Sequence, residues 1–255
     1  MPTPLGAHNP RVEYARELLA RKGRRTHGAY SFEGPTLLAE AWSSGNPLAA
    51  LYVTQEAYEA HPLAREIEAA GVETFLVDRR TFGKLSDLDS PTGLLAVAPL
   101  ALAPLDRVLA EPGVVLVLAD LNDPGNAGTL LRSAEAFGVD RVIFGSGGVE
   151  PHHPKVVRAA MGALFRLEVA LASAPEVGAA AEGWTAIGLA MEGEPLDHAA
   201  VTDRTLLLVG HERHGLGPWQ GICTRIAAIA MSGRTESLNA AVAGSIALYE
   251  ATKRR

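Results

Sequence analysis

The chain has 255 residues, 47% of them hydrophobic, a formal net charge of −6 and a pI near 5.8. That length accommodates two domains or one large one with a substantial core, and the acidic balance excludes nucleic-acid binding driven by overall charge, leaving only local patches. No apolar run reaches the roughly 18 residues of a membrane span, and the lone cysteine, Cys223, excludes an intrachain disulfide and a multi-cysteine metal site. The opening MPTPLGAHNPR lacks a basic-then-apolar leader, so a cytoplasmic location is expected.

From Asn9 to Arg21, Val12, Ala15, Leu18 and Leu19 recur at helical spacing. Arg11, Arg16, Arg21, Lys22, Arg24 and Arg25 make these first residues locally basic against only Glu13 and Glu17. Two readings stay open: a solvated helix end, or a patch that contacts phosphate through Arg21, Lys22, Arg24 and Arg25. Gly23, Gly28 and Gly34 are expected to break regular structure across RKGRRTHGAYSFEGP. Pro35 suits the first turn of a helix. Strand LAALYVT, helix AYEAHPLAREIEAAG, strand VETFLVD, a short helix in DRRTFGKLSD and strand GLLAVAPL follow. Residues 1–100 thus read as a small α/β domain, 101–112 as a linker, and 113–255 as a second domain.

The second domain opens with GVVLVLAD, aliphatic throughout as a strand buried on both faces should be. Loop LNDPGNAG then leads into helix TLLRSAEAFGV, with Leu130, Leu131, Ala134 and Phe137 as its buried stripe. Strands and helices alternate onward to two short apolar runs, Leu206–Val209 and Ile226–Met231, each ending in a polar loop with glycine (210–217 and 232–239). After Asn239 comes a small-residue helix, with Leu238, Ala241, Val242, Ser245, Ile246 and Tyr249 on one stripe. The alternation predicts an essentially parallel sheet, whose ligand crevice lies beyond the carboxyl ends of the strands.

Those ends carry the candidate chemistry. Asn126 precedes a helix N-terminus, where free N–H groups favour an anion. Arg132 lies on that helix's second turn, away from the apolar stripe, offering a planar fork for phosphate or a surface ion pair. Glu212 stands at one strand end, and Ser237 and Asn239 stand before the last helix, where either also serves as a cap. HERH at 211–214 spaces its histidines three apart and between glycines, unlike a zinc-protease helix. His152 and His153 sit between prolines, and GSGG lacks the dinucleotide pattern. Ser237 is not in a G-x-S-x-G elbow.

Three stretches together resemble the SpoU (TrmH-like) branch of the SPOUT superfamily: DPGNAGTLLRSAEAFGV, LLLVGHERHGLG and IAMSGRTESLNAAVAGSIALYE, in that order. The resemblance covers Gly113 to the C-terminus. More loosely, YSFEGPTLLAEAW and the SPTGLLAVA strand are similar to the ribosomal-protein-like RNA-binding module often fused to this family. Ala230 and His211 depart from the family's usual proline and frequent asparagine beside the cofactor loops, which bears on cofactor affinity.

The resemblance implies an α/β fold with a trefoil knot, a smaller N-terminal α/β domain, and a homodimer with the C-terminal helix in the interface. Ala240, Ala241, Ala243, Gly244 and Ala247 would permit close helix approach there. It implies S-adenosylmethionine-dependent methylation of an RNA ribose 2′-hydroxyl, with ribosomal RNA favoured over transfer RNA and no metal. Arg132 would orient the hydroxyl or help deprotonate it. Asn126, Glu212, Ser237 and Asn239 would order the nucleotide and loops, while Gly210, Ile229, Leu238, Met231, Leu189 and Ala190 would hold the cofactor. Two other classes stay open: a non-catalytic RNA-binding or assembly protein of the same fold, and a small-molecule enzyme of the nucleotide-binding α/β type.

Overall fold

A computed structural model describes residues 1–197, 201–211, 214–232 and 237–253. The chain forms two compact units, Met1–Ala101 and Leu102–Arg255.

The first unit runs β1 (Thr3–Pro4), α1 (Pro10–Glu17), α2 (Arg21–His27), β2 (Ala29–Glu33), α3 (Pro35–Ser43), β3 (Ala50–Val53), α4 (Gln55–Ala60), α5 (Pro62–Ala69), β4 (Glu73–Leu76), α6 (Arg79–Phe82) and β5 (Leu94–Pro99). Its sheet has the order β1-β4-β3-β5-β2, with β5 antiparallel to both neighbours and the remaining pairs parallel. Ala50 and Tyr52 of β3, with Leu95 and Val97 of β5, pack under Val12, Ala15 and Leu18. Leu51 and Val53 alternate to the opposite face.

The segment 21–35 departs from expectation, for it holds a helix and a strand. Gly28 adopts the left-handed conformation that ends α2, so it punctuates a regular structure rather than marking an irregular one. All five residues of β2 are buried, and their hydrogen bonds go to β5. The expected helix at 57–71 is divided by Pro62, which starts α5 at its first turn.

The second unit runs α7 (Leu105–Val108), β6 (Gly113–Leu118), α8 (Pro124–Ala136), β7 (Arg141–Gly145), α9 (Pro154–Ala160), β8 (Glu168–Ala172), α10 (Ala174–Ala180), β9 (Thr185–Pro195), β10 (Arg204–Val209), β11 (Arg225–Ala228) and α11 (Ala240–Thr252). Its six strands are all parallel, in the order β11-β9-β10-β6-β7-β8. Val115 and Val117 of β6 and Leu206 and Leu208 of β10 enter one core with Val177, Trp184 and Trp219. The segment expected as a linker contributes α7, whose Val108 is fully buried in that core. Arg141, itself buried, donates to the carbonyls of Val108, Glu111 and Pro112 and fastens this stretch to β7.

Strand β6 pairs with β7 on one side and β10 on the other, so the chain reverses its direction of sheet building between β6 and β10. Such a switch point opens a crevice at the strands' carboxyl ends.

Candidate active site

Helix α8 begins one residue after Asp123, whose Oδ1 accepts the Asn126 N–H at 2.7 Å. Pro124 fits at the first helical position because no N–H is needed there. Asn126 therefore lies inside the helix's first turn rather than before the helix. Its Oδ1 accepts from Asn239 Nδ2 at 3.0 Å, and Asn239 Oδ1 accepts from the N–H groups of Ala241 and Val242. The two asparagines thus join the N-terminal ends of α8 and α11.

That pairing continues along both helices. The hydroxyls of Ser133 and Ser245 lie 2.6 Å apart, and the rings of Phe137 and Tyr249 meet edge-on at 5.7 Å. The three pairs have nearly constant sequence offsets, so α8 and α11 lie side by side and parallel. A β-carbon on Gly244 would fall 2.5 Å from a Leu130 methyl, so the absence of a side chain is what lets α11 settle on α8. Ala241, Gly244 and Ala247 consequently face the core of the second unit rather than a free surface. The exposed stripe is Val242, Ile246 and Tyr249, at 47%, 37% and 51% exposure.

Beside the first turn of α11 opens a cavity of about 440 Å³. Leu189, Ala190, Met191 and Glu192 form one wall, Gly210, His211 and Gly215 a second, and Ile229, Met231, Ser237 and Leu238 a third. The first wall exists because β9 leaves its ladder: Gly188 pairs with Ile226, but the next partner, Ala227, pairs with Glu194. Residues 189–193 bulge out between these positions. A mutual pair of backbone hydrogen bonds between His211 and Gly215 closes the second wall. Strand β11 ends at Ala228, short of the apolar run's end, which frees Ile229 and Met231 to line the cavity.

All six residues expected to hold a cofactor, and Ser237, therefore share one cavity, with His211 beside them and Ala230 nearby and exposed. Glu212 lies outside the described residues. Arg132 does not line this cavity. It opens on a separate hollow with Thr129, Ser133, Phe137 and Met161. The four basic N-terminal residues also part company: Arg21, Lys22 and Arg25 are exposed, whereas Arg24 is buried and donates to the carbonyls of Leu18 and Leu19 at 2.9 and 2.8 Å.

Sequence reasoning missed Glu192 as a cavity residue, along with Met191, Val209, Gly215, Ala227, Ala240 and Ala243. Glu192 stands two residues past Ala190 on the same strand. The alanines give no chemical signal. Cys223 lies outside the cavity, and burial pushes its thiol up to about 11. Among the described residues no cluster of metal-ligating side chains occurs, and no helix is long and apolar enough to cross a membrane.

The cavity suits an adenosyl cofactor. Its volume falls within the ~300–1,000 Å³ of small-molecule sites, its aliphatic residues offer apolar surface to a purine, and the glycine-bearing strand ends present backbone groups to polar edges.

A family model described as the SpoU rRNA Methylase family matches residues 113–249, and one described as the MRM3-like substrate binding domain matches residues 9–96. The chain is 28% identical over 247 residues to the 23S rRNA (guanosine(2553)-2'-O)-methyltransferase RlmP of Bacillus subtilis, covering 95% of this chain and 96% of that protein. It is 30% identical to the 23S rRNA (uridine(2479)-2'-O)-methyltransferase of Streptomyces viridochromogenes, covering 98% and 91%. The structure of an AdoMet-bound rRNA methyltransferase from Sinorhizobium meliloti aligns with a TM-score of 0.86 at 25% identity, covering 99% of this chain and 98% of that one. The SpoU methyltransferase AviRb from S. viridochromogenes, in complex with the cofactor AdoMet, aligns with a TM-score of 0.84 at 28% identity, covering 97% and 98%. With the first model spanning more than half of the chain, the protein belongs to the SpoU rRNA methylase family of the SPOUT superfamily.

Proposed function

We propose that this protein transfers the methyl group of S-adenosylmethionine to a ribose 2′-hydroxyl of large-subunit ribosomal RNA in the cytoplasm. The observation that carries the reading is the cavity between the bulge of β9 and the ends of β10 and β11, where all six expected cofactor residues converge. Two relatives that span nearly the whole chain are named as 23S rRNA 2'-O-methyltransferases, which favours ribosomal over transfer RNA. The 9–96 match to a substrate binding domain supports RNA capture by the first unit.

Bound S-adenosylmethionine supplies an electrophilic methyl on a sulfonium. The chain's own task is to bring one hydroxyl in line with that methyl and to manage the proton that leaves. Arg132 positions the ribose and stabilises the oxygen as it gains charge, since a guanidinium stays protonated and is a poor base; the hydroxyl proton passes to a neighbouring RNA phosphate and on to solvent. Asn126 and Asn239 lock the helix ends that flank the cavity, Ser237 lines it, and Glu212 has the role of ordering the nucleotide.

The protein works as a homodimer through the face that bears Val242, Ile246 and Tyr249, with the C-terminal segment threaded as a trefoil knot. An apolar stripe of this kind on a soluble surface fits association. Phe137 links it to the Arg132 hollow, so a second copy docked there brings one subunit's Arg132 to the other's cavity.

The test is transfer of labelled methyl groups to separated ribosomal and transfer RNA. Label that enters large-subunit RNA and protects one ribose from alkaline cleavage is the expected result. Label in transfer RNA alone would overturn the substrate, and no label in any RNA, with cofactor bound, would overturn the activity.

A further inference from the structure

Glu192 is the one charged side chain among the described residues that line the cavity. It forms no hydrogen bond or ion pair with a described residue. Its neighbours account for where it stands. Gly193 is pressed against the partner strand, where a β-carbon would lie 2.5 Å from the Ala227 carbonyl carbon, so the end of the bulge is pinned by backbone contact. Glu194, two residues on, is drawn away to Arg225 at 3.6 Å and lines a different hollow. The bulge therefore delivers one carboxylate to a wall that is otherwise neutral and largely apolar.

A carboxylate there has a matching charge to meet. S-adenosylmethionine carries a positive sulfonium and a positive α-ammonium, and an ion pair in a partly closed apolar site is screened less than one in open solvent. We infer that Glu192 is a cofactor-positioning residue whose carboxylate pairs with a cationic group of S-adenosylmethionine at the mouth of the cavity. The inference rests on the placement of the cofactor in this cavity. It adds a source of selectivity that backbone contacts to adenine and ribose cannot supply, because adenosine-like molecules share those parts.

Calorimetric binding to wild type, Glu192→Gln and Leu238→Trp, with three ligands, tests it. S-adenosylmethionine bears both cations, S-adenosylhomocysteine only the ammonium, and 5′-methylthioadenosine neither. Because Glu192 is exposed, Glu192→Gln should weaken S-adenosylmethionine by roughly threefold to fivefold, the upper range of a solvent-screened ion pair, and leave methylthioadenosine within twofold. A parallel loss for S-adenosylhomocysteine identifies the ammonium as the partner, and an unchanged affinity identifies the sulfonium. Equal weakening of methylthioadenosine, or no weakening of S-adenosylmethionine, overturns the role of Glu192. Leu238→Trp narrows the cavity from an exposed position and separates the two failures. If it leaves all three ligands bound as in wild type, the cofactor lies elsewhere; if it abolishes binding while Glu192→Gln changes nothing, only the inference about Glu192 is lost.

Discussion

Four basic residues within one turn and a half of helix end in two different environments. Arg24 sits inside the first unit with its guanidinium on the carbonyls of Leu18 and Leu19, joining the end of α1 to α2. Lys22 and Arg25 face solvent. Arg24→Ala strands buried carbonyls and is expected to cost ~1–3 kcal/mol of stability, read as a lower melting temperature. Lys22→Ala with Arg25→Ala should leave melting unchanged within error and weaken RNA binding, with a shallower dependence on salt. A double variant that binds RNA like wild type across a salt titration would remove this helix from the RNA surface. Charge density along the sequence marked all four alike, because burial of a single arginine is decided by the fold of α1 against α2.

At the scale of elements, the alternation of aliphatic runs and amphipathic stretches was enough to recover the parallel sheet and to point to its carboxyl ends. Strand β2 was not recoverable in this way: it lies between two glycines and is short, and what makes it a strand is its antiparallel register on the distant β5, centred on Ser31↔Val97. The bulge at 189–193 was hidden for a similar reason, since it depends on where β11 rejoins β9. The small residues of α11 were legible as a packing signal, but the sequence could not say which partner they pack on. The structure places Gly244 against Leu130 of α8 and Val209 of β10, and buries Ala241 and Ala247. The crossing of α8 and α9 depends on a comparable contact at Gly128, where a β-carbon would lie 2.4 Å from Ala159 Cβ and 2.8 Å from two backbone atoms of α9. Gly128→Ala gains helix propensity of up to ~1 kcal/mol, yet the backbone has to move. A net loss of about 1–3 kcal/mol is expected from overpacking, and a chemical denaturation midpoint at or above wild type would contradict this account of the crossing.

For the molecule as a whole, the division between the cavity and the Arg132 hollow sets the central expectation. Ile246→Glu puts a charge into the exposed stripe and should shift the protein from dimer to monomer in sedimentation, with loss of methyl transfer. Leu238→Trp and Arg132→Ala should each be inactive alone. Mixed and allowed to exchange subunits, they should regain activity, because one hybrid site combines an intact cavity with an intact arginine; no recovery from exchanged subunits would confine the site to one chain. Most of the site residues were legible because they stand at a strand end or helix start, and Arg132 because it lies off the apolar stripe of α8, whereas their grouping into two separate hollows follows from the parallel packing of α8 and α11, a relation between segments more than a hundred residues apart.

The most direct measurement is analysis of the methylated nucleoside made by wild type and by Arg132→Ala from labelled S-adenosylmethionine and large-subunit ribosomal RNA, with cofactor affinity measured in parallel. Wild type should yield a single 2′-O-methylnucleoside. Arg132→Ala should bind cofactor as wild type does and transfer the methyl at least ~10²-fold more slowly, as loss of a charge-stabilising group at the reacting oxygen does. Label on a base, or an Arg132→Ala protein that methylates the ribose at the wild-type rate, would contradict the account.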